Sequence, residues 1–271
     1  MKQIQESKYD IIVVGAGHAG CEAAAAASRL GSSVLLISMN LNNVAQMSCN
    51  PAMGGIAKGQ IVREIDALGG LSGIVTDKTM IQFRMLNKSK GPAMWSPRAQ
   101  SDRTLFSLEW RSQLEKIQNL YFRQDTVVSL IFEKKKITGV KTILGLEIIA
   151  NAVILTCGTF LNGIIHIGEK NVPGGRYGEA SSIGITEILK EAGFESGRMK
   201  TGTPVRVDGR SINFDCMIEQ MGDDYPGKFS FTDTPTLVNQ KSCFLTYTNP
   251  DVHEILKSGF DKSPLFKGRI Q

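Results

Sequence analysis

Three features of this sequence predict an α/β fold with a parallel sheet. Residues 10–14 and 34–37 are short apolar runs of the kind that form strands buried on both faces. Between them residues 18–30 are alanine-rich and helical, with Gly31 placed as the stop. At the first junction stands Gly15-Ala16-Gly17-His18-Ala19-Gly20. Strand, glycine turn, helix and strand make a Rossmann-like βαβ unit. Gly15 permits the tight turn, Gly17 lets the backbone approach a pyrophosphate, and Gly20 allows close helix–strand packing. The helix N-terminus adds free N–H groups and a positive dipole end, so a dinucleotide cofactor is expected here. The second strand ends at Ser38 rather than at the usual acidic residue, followed by Met39 and Asn40. A hydroxyl or amide there holds a ribose more weakly than a carboxylate does.

About thirty residues further on comes Met47-Ser48-Cys49-Asn50-Pro51-Ala52-Met53-Gly54-Gly55-Ile56-Ala57-Lys58-Gly59. It sets a cysteine, a proline turn, two glycines and a lysine where the cofactor's reactive end is expected. Residues 56–68 read as a helix closed by Gly69-Gly70, and residues 103–117 as another. From 120 the pattern is that of a β-meander, with strands at 120–123, 126–132, 137–144, 147–149 and 153–156, and Lys134-Lys135-Lys136 as a solvated hairpin tip. Its last strand runs into Cys157-Gly158, which is either a plain strand end or a return of the chain to the cofactor. A glycine-rich loop, Pro173 to Gly178, feeds a helix at about 181–192, capped by Ser181 or Ser182, whose N-terminus is a second candidate anion site. After Lys200-Thr201-Gly202-Thr203-Pro204 the texture turns polar and turn-rich. Residues 1–205 are therefore expected to form one domain and 206–271 the start of another. The chain ends at Arg269-Ile270-Gln271 with no closing element and reads as part of something longer.

With 271 residues, 42% of them hydrophobic, the chain can bury a sizeable core. It has no apolar run of about twenty residues, and its polar first residues, 1–8, are unlike a secretory signal. The five cysteines form no C-x-x-C pair, which fits free thiols in a reducing cytoplasm, and three histidines without shared spacing argue against zinc. The formal charge of +5 is concentrated. Lys78, Arg84, Lys88, Lys90, Arg98, Arg103 and Arg111 face only Asp102 and Glu109 within residues 78–111, an excess equal to that of the whole chain. Phe83, Trp95, Phe106 and Trp110 are interleaved with them. Such a block suits an anionic partner, cofactor phosphates or a nucleic acid, or else is a solvated face.

Taken in order, these pieces resemble the MnmG (GidA) family. The resemblance rests on residues 15–20, on Gln46 to Gly55, on Asp66-Ala67-Leu68-Gly69-Gly70, Ile81-Gln82-Phe83-Arg84, Lys90-Gly91-Pro92-Ala93, Arg98-Ala99-Gln100, Gly158-Thr159-Phe160-Leu161 and Lys200 to Pro204, and it covers the chain from Tyr9 onward. It implies a glutathione-reductase-type FAD domain with a β-meander insertion, interrupted by a second domain that binds NADH. It implies a cytoplasmic homodimer that acts with an MnmE-type GTPase on the wobble uridine of tRNA. Reduced flavin, a carbon from methylene-tetrahydrofolate, and glycine or ammonium would build the carboxymethylaminomethyl or aminomethyl group at C5. By motif matching, Gly15, Ala16, Gly17, His18, Ala19 and Gly20 would hold the FAD pyrophosphate, Val127 would meet the adenine through its backbone, and Ser182 would add a contact. Cys49 corresponds to one of two catalytic cysteines; the other is expected beyond residue 271, so this stretch alone is expected to be inactive.

A thiol near a helix start, with Lys58 close in sequence, is poised to be a thiolate that attacks uracil C6 or serves as a base. The alternative for Cys49 is a small buried hydrophobe. Cys21 reads as helix packing, Cys157 as structural, and Cys216 and Cys243 carry no motif. His18 is expected to matter for its backbone, and His166 and His253 are uninformative. Lys58, Arg98 and Lys200 are candidate cofactor or substrate contacts, or ordinary surface cations. Two other functions stay open: a small-molecule flavin oxidoreductase, and a non-catalytic flavoprotein module that binds tRNA or a partner.

Overall fold

The computed structural model describes residues 8–266. The polar stretch before them and the ending at Arg269-Ile270-Gln271 lie outside the described residues. The chain forms two compact units, Met1–Gly158 with Met221–Ser242, and Thr159–Gln220 with Cys243–Gln271. They do not divide at 205/206: residues 159–205 group with the second unit, and 221–242 return to the first.

In the first unit the chain runs β1 (Tyr9–Val14), α1 (His18–Arg29), β2 (Val34–Ser38), β3 (Ala52–Gly54), α2 (Lys58–Ala67), α3 (Ser72–Thr79), β4 (Met80–Leu86), β5 (Ser96–Ser101), α4 (Arg103–Glu115), β6 (Leu120–Gln124), β7 (Val127–Glu133), β8 (Lys136–Thr142) and β9 (Glu147–Leu155). A six-stranded sheet has the order β6-β2-β1-β9-β8-β7. Its β6, β2 and β1 are parallel, and β2 buries Val34 to Ile37 on both faces. The strands expected at 147–149 and 153–156 are one strand. The first part of β9 pairs antiparallel with β8, and its second part runs parallel to β1 through Ala152↔Ile11 to Leu155↔Val14. The meander is thus built directly onto the dinucleotide sheet. Helix α1 packs through Gly20, Cys21, Ala24, Ala25 and Ser28, and α4 through Phe106, Trp110 and Leu114, spaced one turn apart and fully buried. Asp102 caps α4 by accepting from the N–H groups of Thr104 and Leu105.

A second, antiparallel sheet, β3-β5-β4, covers Met53, Phe83 and Ala99 on one face. Residues 221–242 complete that face. The N–H groups of Asp223 and Lys241 donate to the carbonyls of Phe83 and Ile81, and Phe229 is buried with its ring edge-on to Phe83. Two buried carboxylates hold the segment. Asp77 accepts from the N–H groups of Phe229 and Ser230 and from the Thr234 hydroxyl at 2.7–2.9 Å, and Asp66 accepts from the N–H of Phe231 at 2.8 Å. Each of these donors arrives more than 150 residues after its carboxylate.

The second unit contains β10 (Ile164–Ile167) and β11 (Lys170–Pro173) as a hairpin, α5 (Ile185–Glu191), β12 (Ile218–Gln220) paired with β13 (Cys243–Leu245), and α6 (Pro250–Lys257). The helix expected from 181 starts four residues later. Ser182 does not cap it; its backbone is bridged to residues 160–162 instead, its N–H donating to Phe160 and its carbonyl accepting from Asn162. Gly184 caps α5 instead, its N–H donating to the Glu187 carboxylate at 3.0 Å.

Candidate functional site

The fingerprint behaves as three separate devices. Gly15 has φ +101°, and a Cβ there would lie 2.6 Å from the Thr156 carbonyl oxygen. A Cβ on Gly20 would come within 1.8 Å of the Gly15 carbonyl oxygen, so α1 packs as tightly on the turn as a bare backbone allows. At Gly17 a Cβ would meet nothing within 4 Å. Gly17 also caps α1 with no side chain over the helix end. Two glycines are therefore required by packing and the third by open space, the pattern that admits a pyrophosphate to the N–H groups of His18, Ala19 and Gly20.

Thr156 supports the turn from below. Its N–H and hydroxyl both donate to the Val14 carbonyl at 2.9 Å, and the hydroxyl also reaches the Gly15 carbonyl at 2.8 Å. Sequence reasoning passed over it, although its place at the head of Cys157-Gly158 was the available signal. The junction that follows Thr156 therefore lies against the fingerprint turn. Cys157 lies beside the same carbonyl, and burial raises its thiol pKa to about 11; Cys21, buried in α1, is raised to about 12 by burial and then by Glu22. Both are packing thiols.

From above, the segment after β2 drapes over the fingerprint: the Ala45 N–H donates to Ala16, and His18 Nε2 donates to the Ala45 carbonyl at 3.0 Å. Burial lowers the His18 pKa, and the Lys58 ammonium lowers it further, so the ring is a neutral brace at pH 7. Lys58 itself is exposed, with its pKa lowered by partial burial of the ammonium. At the far end of β2 the Ser38 hydroxyl donates to Asn40, and the Asp125 N–H donates to the Ser38 carbonyl. Buried Val127 opens β7 two residues later, beside the end of β2. Ser182 is buried in the second unit.

Cys49 is half-buried between the single turn Leu41–Asn43 and β3. A strand, not a helix, follows it, and the Ser101 N–H fixes the adjoining Pro51 carbonyl at 2.7 Å. The helix expected from Ile56 begins at Lys58, after the positive-φ turn of Gly55 and Ala57. The basic block is partly neutralised: Lys78 pairs with Glu109, Lys88 with Asp223, and Arg111 with Glu115. Three of its four aromatics, Phe83, Phe106 and Trp110, are core; Trp95 alone is exposed, at 43%. Lys200 lies on an exposed, irregular stretch, and His166 and His253 bond to Asn171 and Thr248 at the surface.

A parallel sheet with a glycine cradle at the carboxyl end of its first strand and a bare helix terminus above it defines a dinucleotide-binding protein of the Rossmann-like class. The profile of one family, described as glucose inhibited division protein A, matches residues 10–271, and the chain belongs to that family. It is 66% identical over 265 residues to the tRNA uridine 5-carboxymethylaminomethyl modification enzyme MnmG of Cytophaga hutchinsonii, covering 97% of this chain and 43% of that protein. A relative of the same name from Christiangramia forsetii is 66% identical over 267 residues, covering 98% of this chain and 43% of that one. Among solved structures, Aquifex aeolicus GidA in its form I crystal superposes with a TM-score of 0.93 at 45% identity, over 96% of this chain and 44% of that one. The chain thus spans less than half the length of these relatives. No helix among the described residues is long and apolar enough to cross a membrane.

Proposed function

We propose that this chain is the flavin-binding part of an enzyme that builds the carboxymethylaminomethyl or aminomethyl group on C5 of the wobble uridine in tRNA. The observation that carries the reading is the split among the fingerprint glycines, with Gly15 and Gly20 packed shut and Gly17 open, in a chain so similar to enzymes of that name. The residues present fit FAD. Gly15 to Gly20 would take the pyrophosphate, the Val127 backbone the adenine, and Ser182 a further polar group of the cofactor. The ribose contact falls to Ser38 or Asn40. Bound there, FAD supplies the redox chemistry, with NADH as reductant and methylene-tetrahydrofolate as one-carbon donor. NADH is assigned to the domain expected to begin at residue 206.

The residues of this chain have simpler tasks. His18, neutral and tied to Ala45, keeps the segment after β2 closed over the fingerprint. Thr156 keeps the Gly15 turn from relaxing. Cys49, as thiolate, adds to C6 of the uracil: the Sγ–C6 bond forms and the C5–C6 π pair moves to C5 and its carbonyl. C5 then attacks the iminium carbon of the one-carbon donor, whose C–N π pair passes to nitrogen; C5 gives up its proton, and the C5–H pair re-forms the C5–C6 double bond as the thiolate leaves C6. The intact protein is assigned to the cytoplasm, as a homodimer working with an MnmE-type GTPase. Cys49→Ser in the intact protein is expected to keep the flavin absorbance and to abolish modified uridine in digested tRNA. Unchanged modification would return Cys49 to a packing role.

A further inference from the structure

Within the basic block two cations stand apart. Arg84 on β4 and Arg98 on β5 are directly opposite each other in the antiparallel register, so both project from the same face of the β3-β5-β4 sheet. Like charges in that position repel and destabilise a sheet. Among the described residues neither guanidinium makes an ion pair or hydrogen bond, whereas Lys78, Lys88 and Arg111 each have a carboxylate. Both arginines are half-buried, so solvent screens them less than it would surface lysines. Gly54 completes their row on β3 and brings no side chain to it. Two adjacent guanidinium groups without a carboxylate form a site for an anion, and their planar forks suit phosphate oxygens.

We propose that Arg84 and Arg98 form a clamp for a backbone phosphodiester of the RNA substrate. This rests on the reading that Cys49 addresses a uridine. Gly54, beside Arg98, lies five residues along the chain from Cys49. At about 3.3 Å per residue Gly54 stands at most roughly 17 Å from Cys49, with Arg98 and Arg84 about 5 and 10 Å further across the sheet. A polynucleotide whose uridine lies at Cys49 has phosphates at such distances, a few nucleotides along, and their oxygens match the two forks. Past the arginine row, the loop joining β4 to β5 exposes Lys90, Met94 and Trp95. Cations beside an exposed aromatic are the usual platform for a single strand, with the ring stacking on a base.

The test uses the intact, flavin-loaded protein and an anticodon stem-loop RNA, with affinity measured as a function of salt. Arg84→Gln and Arg98→Gln are each expected to weaken binding about tenfold. Each is also expected to flatten the slope of log affinity against log salt, the two together by roughly 0.7, the value for one single-strand phosphate. Arg98→Lys keeps the slope, since the charge remains, and loses part of the affinity with the fork. Without RNA, the glutamine variants keep their flavin absorbance and melt no lower than wild type, because a repulsion has been removed. A salt slope unchanged in both glutamine variants overturns the clamp. So does a fall in melting temperature that accounts for the lost binding, or a loss of flavin. Wild-type protein that binds no RNA at all would instead sink the functional reading on which the clamp stands.

Discussion

The two units of this chain differ less in their secondary structure than in what they bury. The first packs Phe83, Phe106, Trp110 and Phe229 out of contact with water, and its central strands are buried on both faces. The second has strands and helices too, yet Ile185 is its one fully buried large side chain among the described residues, while Tyr177 and Met199 are 87% and 98% exposed. Regular elements cost backbone entropy, and only burial offsets it. The cofactor loop is placed in the unit whose packing can hold a backbone to within tenths of an ångström, as the contacts of Gly15 and Gly20 demand.

The thiols give the widest contrast between the two. Cys216 is exposed in the second unit, while Cys21 and Cys157 lie inside the first with pKa values of about 12 and about 11. Iodoacetamide at pH 8 is expected to label Cys216 readily and to modify Cys21 and Cys157 on the order of a thousandfold more slowly than an ordinary free thiol. Peptide mapping over time reads this directly. Rapid labelling of Cys21 would mean that the first unit opens far more often than its packing implies.

Next in size is the clasp on residues 221–242. Asp77→Ala leaves three donors without their acceptor and is expected to cost about 3 kcal/mol or more, seen as a lower urea midpoint and faster tryptic cleavage at Lys228. If the midpoint holds, the segment is an ornament on the first unit and not part of its core.

Smaller still, and sharper, is the pair of glycine substitutions. Gly20→Ala drives a methyl group into the Gly15 carbonyl and is expected to lower stability by about 2–3 kcal/mol. Gly17→Ala meets nothing within 4 Å, so stability should move by less than about 1 kcal/mol while flavin content falls. Equal losses of stability would erase the distinction between packing glycine and ligand glycine.

Much of this was legible because it is local. The fingerprint and its flanking apolar runs located β1, α1 and β2, and the Ala-rich composition of α1 matches the close approach it makes. Helix α4 was legible at 103–117, but the interleaved Phe106 and Trp110, which suit an anionic partner on sequence alone, are core. Helix α3 was missed because it buries Ser72, Gly73, Thr76 and Thr79, polar or small residues that write no apolar stripe. Strand β9 was cut in two at Ala150-Asn151-Ala152, where pairing with Tyr9 and Ile11 maintains a strand that propensity does not. At the fingerprint, the open space at Gly17 agrees with what its spacing predicts. Thr156 was not legible, since its role depends on a carbonyl more than 140 residues away.

The carboxylates of Asp66 and Asp77 also set a timetable. On the ribosome they emerge long before Phe229, Ser230, Phe231 and Thr234, whose donors they take. The dinucleotide sheet can therefore assemble early, but the face formed by β3, β5 and β4 stays unsealed until Thr234 has left the exit tunnel. During that interval nascent chains carry two wet aspartates where the finished protein has an interior, and a stop codon placed anywhere before residue 234 would release the unit in that open state.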